Sequence, residues 1–337
     1  MSDASARPLK RLALVTGGHG FLGSHLVPLL LAAGWRVRCL LRPERDVSVF
    51  QGSDVEVARG DLRSDAGLAK AVQDVDSVFH VAGRIAAPSP SEFDAVNVAG
   101  TARIARAVAR FAPGCRRFLL VSSQAAAGPS LDGRPIDESA PPRPVSHYGR
   151  SKLRGELALR AALPDNAWTI VRPPAIYGPR DQAILPFFQL GARGFAPGLD
   201  GRGRRFNLLH ARDVAAGLLA AATAPPAAGR VYFLADADGC SYADLAGVLA
   251  RVFARRIRKI PLPDVLLDLA GALVDEIAGL AGQVPVFGRE KARELKARWW
   301  LASAAAAQRD LGWEPRIELD EGFSETARWY EEHGLLG

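Results

Sequence analysis

Short apolar runs alternate with helical periodicities through the first half of the chain. Leu12-Ala13-Leu14-Val15 predicts a strand and Phe21 to Ala33 a helix. Arg36 to Leu41 and Val55-Glu56-Val57 predict two more strands, and Val75 to Val81 a fourth. Arg117 to Val121 predicts a fifth after a helix around Ala95 to Phe111, and Ala167 to Val171 a sixth. Runs that are apolar throughout belong to strands covered on both faces, and β/α alternation argues a parallel sheet. The expected fold class is α/β, a doubly wound parallel sheet. After about residue 175 the rhythm changes. Val231-Tyr232-Phe233-Leu234 predicts one more strand, and the rest reads as a smaller, mainly helical C-terminal lobe broken at Pro261, Pro263, Pro285 and Gly288.

One helix carries a mixed message. In Val265 to Ala281, Asp268, Ala272, Asp275 and Gly279 share one face, while Leu266, Leu269, Leu273 and Ile277 share the other. Its acids and glycines argue against a membrane span. Packing on the core of the lobe is the plain expectation. A lid over a lipophilic pocket and a peripheral membrane contact through 265–281 are the sharper ones.

Composition narrows the class. Across 337 residues, 48% are hydrophobic and 23% charged, which fits a globular protein and excludes disorder or a fibrous repeat. The opening MSDASARPLKR lacks the apolar core of a secretory signal. Cys39, Cys115 and Cys240 are scattered and odd in number, so free thiols in a cytoplasmic protein are expected rather than disulfides. The six His show no ligand spacing, so no metal is expected. The net charge of +7 raises nucleic acid as a partner, but the densest cluster, Arg255, Arg256, Arg258 and Lys259, lacks interleaved aromatics. The charge instead suits a dinucleotide phosphate or an anionic membrane surface.

Thr16-Gly17-Gly18-His19-Gly20-Phe21-Leu22-Gly23 joins the first strand to the first helix. Gly17 allows the sharp turn, Gly20 lets backbone approach a pyrophosphate, and Gly23 lets helix and strand pack closely. The helix start then offers free N–H groups and a positive dipole end to phosphate. This is the Rossmann arrangement. It assigns residues 1–178 to an NAD(P)-binding domain, rejoined by about 206–235, and residues 179–205 and 236–337 to a substrate-binding lobe. The ligand crevice is expected outside the carboxyl ends of the strands.

The end of the second strand bears on which dinucleotide binds. A carboxylate there would accept the ribose 2′-hydroxyl of NAD, whereas Arg accommodates the 2′-phosphate of NADP. The strand runs into Arg42-Pro43-Glu44-Arg45 with no acid at its end, so NADP is favoured and NAD is the alternative. Gly60-Asp61-Leu62 follows the third strand, where Asp61 can accept from an adenine amino group or cap the turn.

Tyr148 and Lys152 stand four apart at the start of a predicted helix, one turn apart on one face. A nearby ammonium favours the phenolate. Lowering a tyrosine from about 10 to about 7 needs roughly 4 kcal/mol, which a close Lys and a cationic ring in a dry site can supply. Tyr148 would then exchange a proton with a carbonyl or alcohol oxygen. Ser123, at the end of the fifth strand, faces the same crevice and can hold that oxygen.

Together these motifs resemble the extended short-chain dehydrogenase/reductases, which include the NAD-dependent epimerase/dehydratase and 3β-hydroxysteroid dehydrogenase families. Thr16 to Gly23 is similar to the TGxxGxxG of that group. Val78 to Gly83, Asn97-Val98-Ala99-Gly100-Thr101, Val121-Ser122-Ser123, Tyr148 to Lys152 and Arg172 to Pro179 are similar to its later motifs. The resemblance implies a Ser123–Tyr148–Lys152 triad. It places the cofactor against Gly17, Gly20, Phe21, Leu22, Gly23, Arg42, Asp61, Leu62, Val81, Ala82, Gly83, Ser122, Tyr148, Lys152, Pro173, Ala175 and Ile176. Substrate would lie beside Arg84, Gln124, Ala125 and Tyr177. A homodimer formed through the Tyr148 helix and the one before it is also implied.

Two departures address the substrate. Ala175 stands where nucleotide-sugar enzymes of the group carry Asn, and Gln124-Ala125-Ala126-Ala127-Gly128 replaces a bulkier, more polar wall. Small apolar walls suit a wide lipophilic compound better than a sugar. The leading expectation is NADP(H)-dependent interconversion of a hydroxyl and a ketone on a bulky, 3β-hydroxysteroid- or sterol-like substrate. The alternatives are a nucleotide-sugar epimerase or dehydratase with tightly held NAD, in which Arg204 or Arg205 would meet the diphosphate, and a non-catalytic NADP-sensing protein.

Overall fold

The protein is represented by a computed structural model that describes residues 11–199, 203–280 and 288–336. Its central sheet has seven strands: β1 (Leu12–Thr16), β2 (Arg36–Leu41), β3 (Val55–Arg59), β4 (Ser77–His80), β5 (Arg117–Val121), β6 (Trp168–Arg172) and β7 (Arg230–Phe233). They lie in the order β7-β6-β5-β4-β1-β2-β3, and every pairing is parallel. The order reverses between β1 and β4, which opens the crevice at their carboxyl ends.

The helices that matter below are α1 (Phe21–Ala32), α2 (Pro90–Asn97), α3 (Ala99–Phe111), α4 (His147–Ala162), α5 (Ala211–Thr223), α6 (Tyr242–Val252), α7 (Asp264–Leu280), α8 (Arg289–Lys296) and α9 (Leu319–Glu332). α1 and α5 cover one face of the sheet, packing Leu26, Leu30, Val214 and Leu218 against Ala13, Val15, Leu119 and Val121. On the other face Ile104 and Val108 of α3 and Leu159 of α4 meet Leu12, Leu14, Phe118 and Leu120. Successive residues of one strand thus enter opposite cores, which is why the strands read as unbroken apolar runs.

Two local differences from the sequence reading have clear causes. β4 is shorter than Val75 to Val81, because Asp76 turns to cap β1: its carboxylate accepts from Leu12 N at 2.7 Å. The single helix around Ala95 to Phe111 is two, broken at Val98, with Ser89 capping α2 through Glu92 N.

Beyond the sheet, Phe188, Leu245, Leu249, Phe323 and Tyr330 form a separate apolar cluster under α6 and α9. Short parallel pairs knit this part together, among them Phe195–Gly198 with Arg258–Pro261.

α7 overturns the expectation that its leucine face packs on the lobe. Leu266, Leu269 and Leu273 point to solvent. The buried side carries Leu267 and Gly271, with the acids paired around it. Leu267 packs with Leu199 and Ala292, Asp264 meets Arg204, and Asp268 takes Lys296 at 2.7 Å. Asp275 accepts from Arg289 N at 3.0 Å. Periodicity identifies two faces but not which one a neighbour occupies, and here the neighbour, α8, supplies cations. The side chains of Ile277 and Gly279, together with Ala281 and Pro285, lie outside the described residues. No helix among the described residues is long and apolar enough to cross a membrane.

Candidate active site

The site grows from the turn after β1. Gly17 has φ +75°, and a Cβ there would lie 2.8 Å from Ala82 N, so both backbone conformation and space demand glycine. At Gly23 a Cβ would sit 2.2 Å from Gly17 O. The loop therefore folds flat against the start of α1, where Gly20 is the N-cap and no side chain caps the helix. The N–H groups of Phe21 and Leu22 begin a helix with no acid in its first turn. This cradle fits a dinucleotide pyrophosphate.

At the end of β2, Arg59 donates to the carbonyls of Arg42 (3.1 Å) and Arg45 (2.7 Å) and pins that turn. His19 lies beside it. Burial first, and then the charges of Arg45 and Arg42, hold His19 below the ordinary imidazole range, and its buried Nδ1 has no partner among the described residues. Arg42 also contacts Glu44 at 3.3 Å. Asp61 is engaged by Arg63 (Nη2, 3.0 Å); burial opposes its ionisation, but the Arg63 bonds outweigh that and lower its pKa. Leu62 lies in the sheet's second core cluster rather than facing open space.

Between β1 and β4 runs a buried polar chain that supports the crevice floor. Ala82 N donates to Thr16 Oγ1 (3.2 Å), which contacts His80 Nδ1 at 2.7 Å, while His80 Nε2 contacts Thr101 Oγ1 at 3.0 Å. Thr101 in turn donates to Asn97 O at 2.8 Å. Burial, followed by Lys152, pushes His80 down to about 3, so it is neutral. Because Thr101 spends its proton on Asn97 O, it accepts from Nε2–H of His80, which leaves Nδ1 to accept from the Thr16 hydroxyl. Val81, Ala82 and Gly83 continue from this chain along the crevice.

Asn97 is the residue that sequence reading quoted only within a motif and gave no role. It accepts from Arg84 N (2.8 Å), and its Nδ2 donates to Arg84 O (3.0 Å) and Ser151 Oγ (2.9 Å). A Cβ on Gly83 would stand 3.2 Å from Asn97 Oδ1 and 3.5 Å from Lys152 Nζ. Asn97 therefore borders the lysine. Its signal was the break between α2 and α3, which frees the side chain to turn inward. Arg84 itself pairs with Glu92 at 3.2 Å.

Tyr148, Lys152 and Ser123 come together as the spacing implies. Ser123 follows β5 and caps the short turn Gln124–Ala127, accepting from Ala125 N at 3.1 Å. A Cβ on Gly149 would lie 2.3 Å from Ala125 O, so only a glycine lets α4 approach this turn. That approach brings the Tyr148 and Ser123 side chains together at the end of β5. Lys152 is buried one turn on, with Nζ donating to Val121 O at 2.6 Å.

The protein's own groups do not by themselves draw Tyr148 toward 7. Burial first, eased by the Ser123 bond and reinforced by the carboxylate of Glu294, pushes it up to about 12. Burial lowers Lys152 to about 8, with Glu156 opposing. One of the ammonium's N–H groups is spent on the Val121 carbonyl, which leaves two. In this state Tyr148 is a phenol with a proton to give.

The consequence for pH follows from sign. A catalytic Lys152 would act charged; its pKa is displaced downward from 10.5 to about 8, and the Tyr148 value lies far above. Turnover is expected to be flat below about pH 8 and to fall about tenfold per unit above it. A Lys152→Arg variant that remains active should lose this limb, because guanidinium does not titrate there. A pH profile of kcat with no alkaline limb below pH 9 (roughly the reach of such a group) would contradict the assignment.

Other predicted positions divide. Ser122 uses its N–H on Val171 O (2.7 Å) and its hydroxyl on Glu156 (2.5 Å), which leaves its carbonyl to offer. Pro173 O accepts from Gln124 N at 2.8 Å, and the Gln124 Nε2 is buried without a partner among the described residues. Ala125 is buried next to Ser123; Ala175 is exposed and Ile176 half-buried on a short strand paired with Leu208–His210. Tyr177 is a correction. Its ring is fully buried against Phe323 and Gly322 in the lobe cluster, so it has no surface for substrate. Arg204 is buried and engaged on Leu199 O and Asp264, while Arg205 stays at the surface and donates to the carbonyls of Asp238 and Gly239.

Comparison with known proteins agrees with this geometry. The model of the NAD dependent epimerase/dehydratase family matches residues 13–235. The chain is 38% identical to a ceramide reductase of Caulobacter vibrioides over 98% of both chains. It is 28% identical to sterol demethylase protein B of Methylococcus capsulatus, covering 96% of this chain and 99% of that one. Among solved structures it is similar to MoeE5 in complex with UDP-glucose and NAD, with a TM-score of 0.74 and 25% identity over 95% of this chain and 99% of the other. The seven-stranded parallel sheet, the glycine cradle and these matches converge: the chain belongs to the NAD-dependent epimerase/dehydratase family of extended short-chain dehydrogenase/reductases and is an NAD(P)-dependent oxidoreductase.

Proposed function

We propose that this enzyme uses NADPH to reduce a ketone on a bulky, lipophilic substrate, with Ser123, Tyr148 and Lys152 as its catalytic groups. The observation that carries the substrate class is the wall beside Ser123. Ala125 is small and apolar, Ala175 brings no polar group, and Arg204 is buried and already engaged with Leu199 O and Asp264. A sugar diphosphate would find few hydrogen bonds there, whereas a lipid needs few. The relative named ceramide reductase supports the same class, and makes a ceramide-type ketone, an N-acylated long-chain amino ketone, the first compound to try. Residues 179–205 and 236–337 would form the walls around such a chain.

When bound, the nicotinamide supplies the hydride. Gly17, Gly20 and the first N–H groups of α1 would hold the pyrophosphate, with Val81, Ala82 and Gly83 along the crevice floor. Arg42, with Arg45 and His19 beside it, would receive the 2′-phosphate. The Ser123 hydroxyl donates to the ketone oxygen and fixes it. Tyr148 gives that oxygen its proton as charge develops. The Lys152 ammonium then stabilises the phenolate left behind.

The test follows absorbance of the reduced cofactor with a ceramide-type ketone, a 3-ketosteroid and UDP-glucose. A lipid ketone should consume NADPH one for one, and NADPH should be preferred over NADH by about tenfold or more. Arg42→Glu should reverse that preference, since a carboxylate repels the extra phosphate. Purified protein that retains NAD and turns over UDP-glucose with no net cofactor consumption would overturn the reading.

A further inference from the structure

We propose that α7 and the strand before it form a docking surface for an anionic lipid bilayer. The first observation is the inverted seating of α7. Val265 (67% exposed), Leu269 (63%) and Leu273 (60%) stand four residues apart in a single stripe, with Leu266 beside them. An amphipathic helix that is finished by its own protein buries that stripe. This helix instead gives the protein Leu267 and Gly271 and engages its acids: Asp264 on Arg204, Asp268 on Lys296 and Asp275 on the backbone of Arg289. Pairing in this way offsets the charges that a membrane would reject, Asp268 included, although its side chain stays 54% exposed. Glu276 is the exception and closes the stripe at its C-terminal end, so the inserting part is Val265 to Leu273.

The second observation is charge. The chain reaches α7 from the strand Arg258–Pro261, whose four residues are all exposed, Ile260 included. Arg255, Arg256, Arg258 and Lys259 crowd this approach, and no acid occurs between Arg251 and Pro263. Arg255 spends one N–H on Ala192 O, which leaves its charge intact. A basic segment leading into an exposed apolar stripe matches the two layers of a bilayer surface, anionic headgroups above acyl chains. The helix would lie flat, with its leucines about 5–10 Å into the boundary.

Charge also argues against a second copy of this chain as the occupant. A two-fold contact through this surface would set the basic strand against itself. A lid over a pocket would need the stripe turned inward, and it is turned outward. The proposal does not depend on which ketone is reduced, and a lipid substrate would make the surface useful as its point of entry.

Sedimentation of the full chain with vesicles tests it. With phosphatidylcholine containing about 30% phosphatidylglycerol, which gives the vesicles a negative surface potential, the protein should pellet with the vesicles. It should bind pure phosphatidylcholine about tenfold more weakly. Leu269→Ser with Leu273→Ser should weaken anionic-vesicle binding about tenfold or more, as should Arg255→Glu with Arg258→Glu. NADPH binding and the thermal midpoint, both remote from these exposed positions, should be unchanged and report that the variants fold. Wild-type protein that stays in the supernatant would overturn the proposal. So would leucine variants that pellet as well as wild type, or a wild-type dimer that the leucine substitutions dissociate in the absence of vesicle binding.

Discussion

Replacing Tyr148 by Phe is expected to lower kcat about 10³-fold or more while leaving the NADPH dissociation constant within about twofold. The change removes one oxygen from a ring held at the start of α4 beside Phe93. Ser123 loses a partner but keeps its capping bond from Ala125 N, so the turn at Gln124–Ala127 should persist. What disappears is the only hydroxyl proton placed against that of Ser123 in the triad. Ser123→Ala should cost less, about 10²-fold, because it removes an orienting donor and leaves the acid. Single-turnover measurement of NADPH oxidation separates chemistry from binding. A Tyr148→Phe loss below about tenfold, smaller than general acid catalysis supplies, would remove Tyr148 from the catalytic role.

Much of this arrangement is legible in the chain because it depends on neighbours in sequence. β1, β2, β5 and β6 are apolar on both sides since each feeds two cores, and that pattern survives without knowledge of the fold. Gly17 and Gly23 are dictated by contacts a few residues away, and Tyr148 and Lys152 by a single helical turn. Properties set by distant partners are not legible in this way. The phenol of Tyr148 is raised partly by Glu294, which α8 brings in from far along the chain. Tyr177 looks like a pocket residue because it follows Ala175 and Ile176, yet Phe323 and Gly322 claim its ring. The seating of α7 depends on partners outside it, Lys296 for Asp268 and the Arg289 backbone for Asp275, which no periodicity within α7 can report. Asn97 and His80 owe their places to a polar chain crossing three elements.

The same distinction predicts the largest stability effect, at a pair that composition leaves anonymous. Glu156 of α4 and Arg172 of β6 are both almost wholly buried and meet through two bonds, Nε to Oε1 at 2.9 Å and Nη2 to Oε2 at 2.7 Å. Ser122 donates to the same Oε1 at 2.5 Å, and Phe233 lies under the guanidinium at 5.5 Å. Arg172→Ala should destabilise the protein by about 3–5 kcal/mol, because Glu156 would then be a buried charge retaining only a hydroxyl partner. Glu156→Ala should cost a similar amount, stranding both the guanidinium and the Ser122 hydroxyl. In a thermal melt each loss should appear as a fall of about 4–7 °C. Removing both charges with apolar residues of similar size, Glu156→Leu with Arg172→Met, should recover most of the loss, since the cost lies in the unpaired ion more than in the missing bond. Recovered stability need not restore catalysis. Ser122 adjoins Ser123, and a hydroxyl released from Glu156 loosens the segment that sets Ser123 against Tyr148. The double variant should therefore fold well and turn over slowly, with NADPH affinity near that of the parent. Single variants within about 1 kcal/mol of the parent, an ordinary surface effect, would show that the pair does not carry this charge burden.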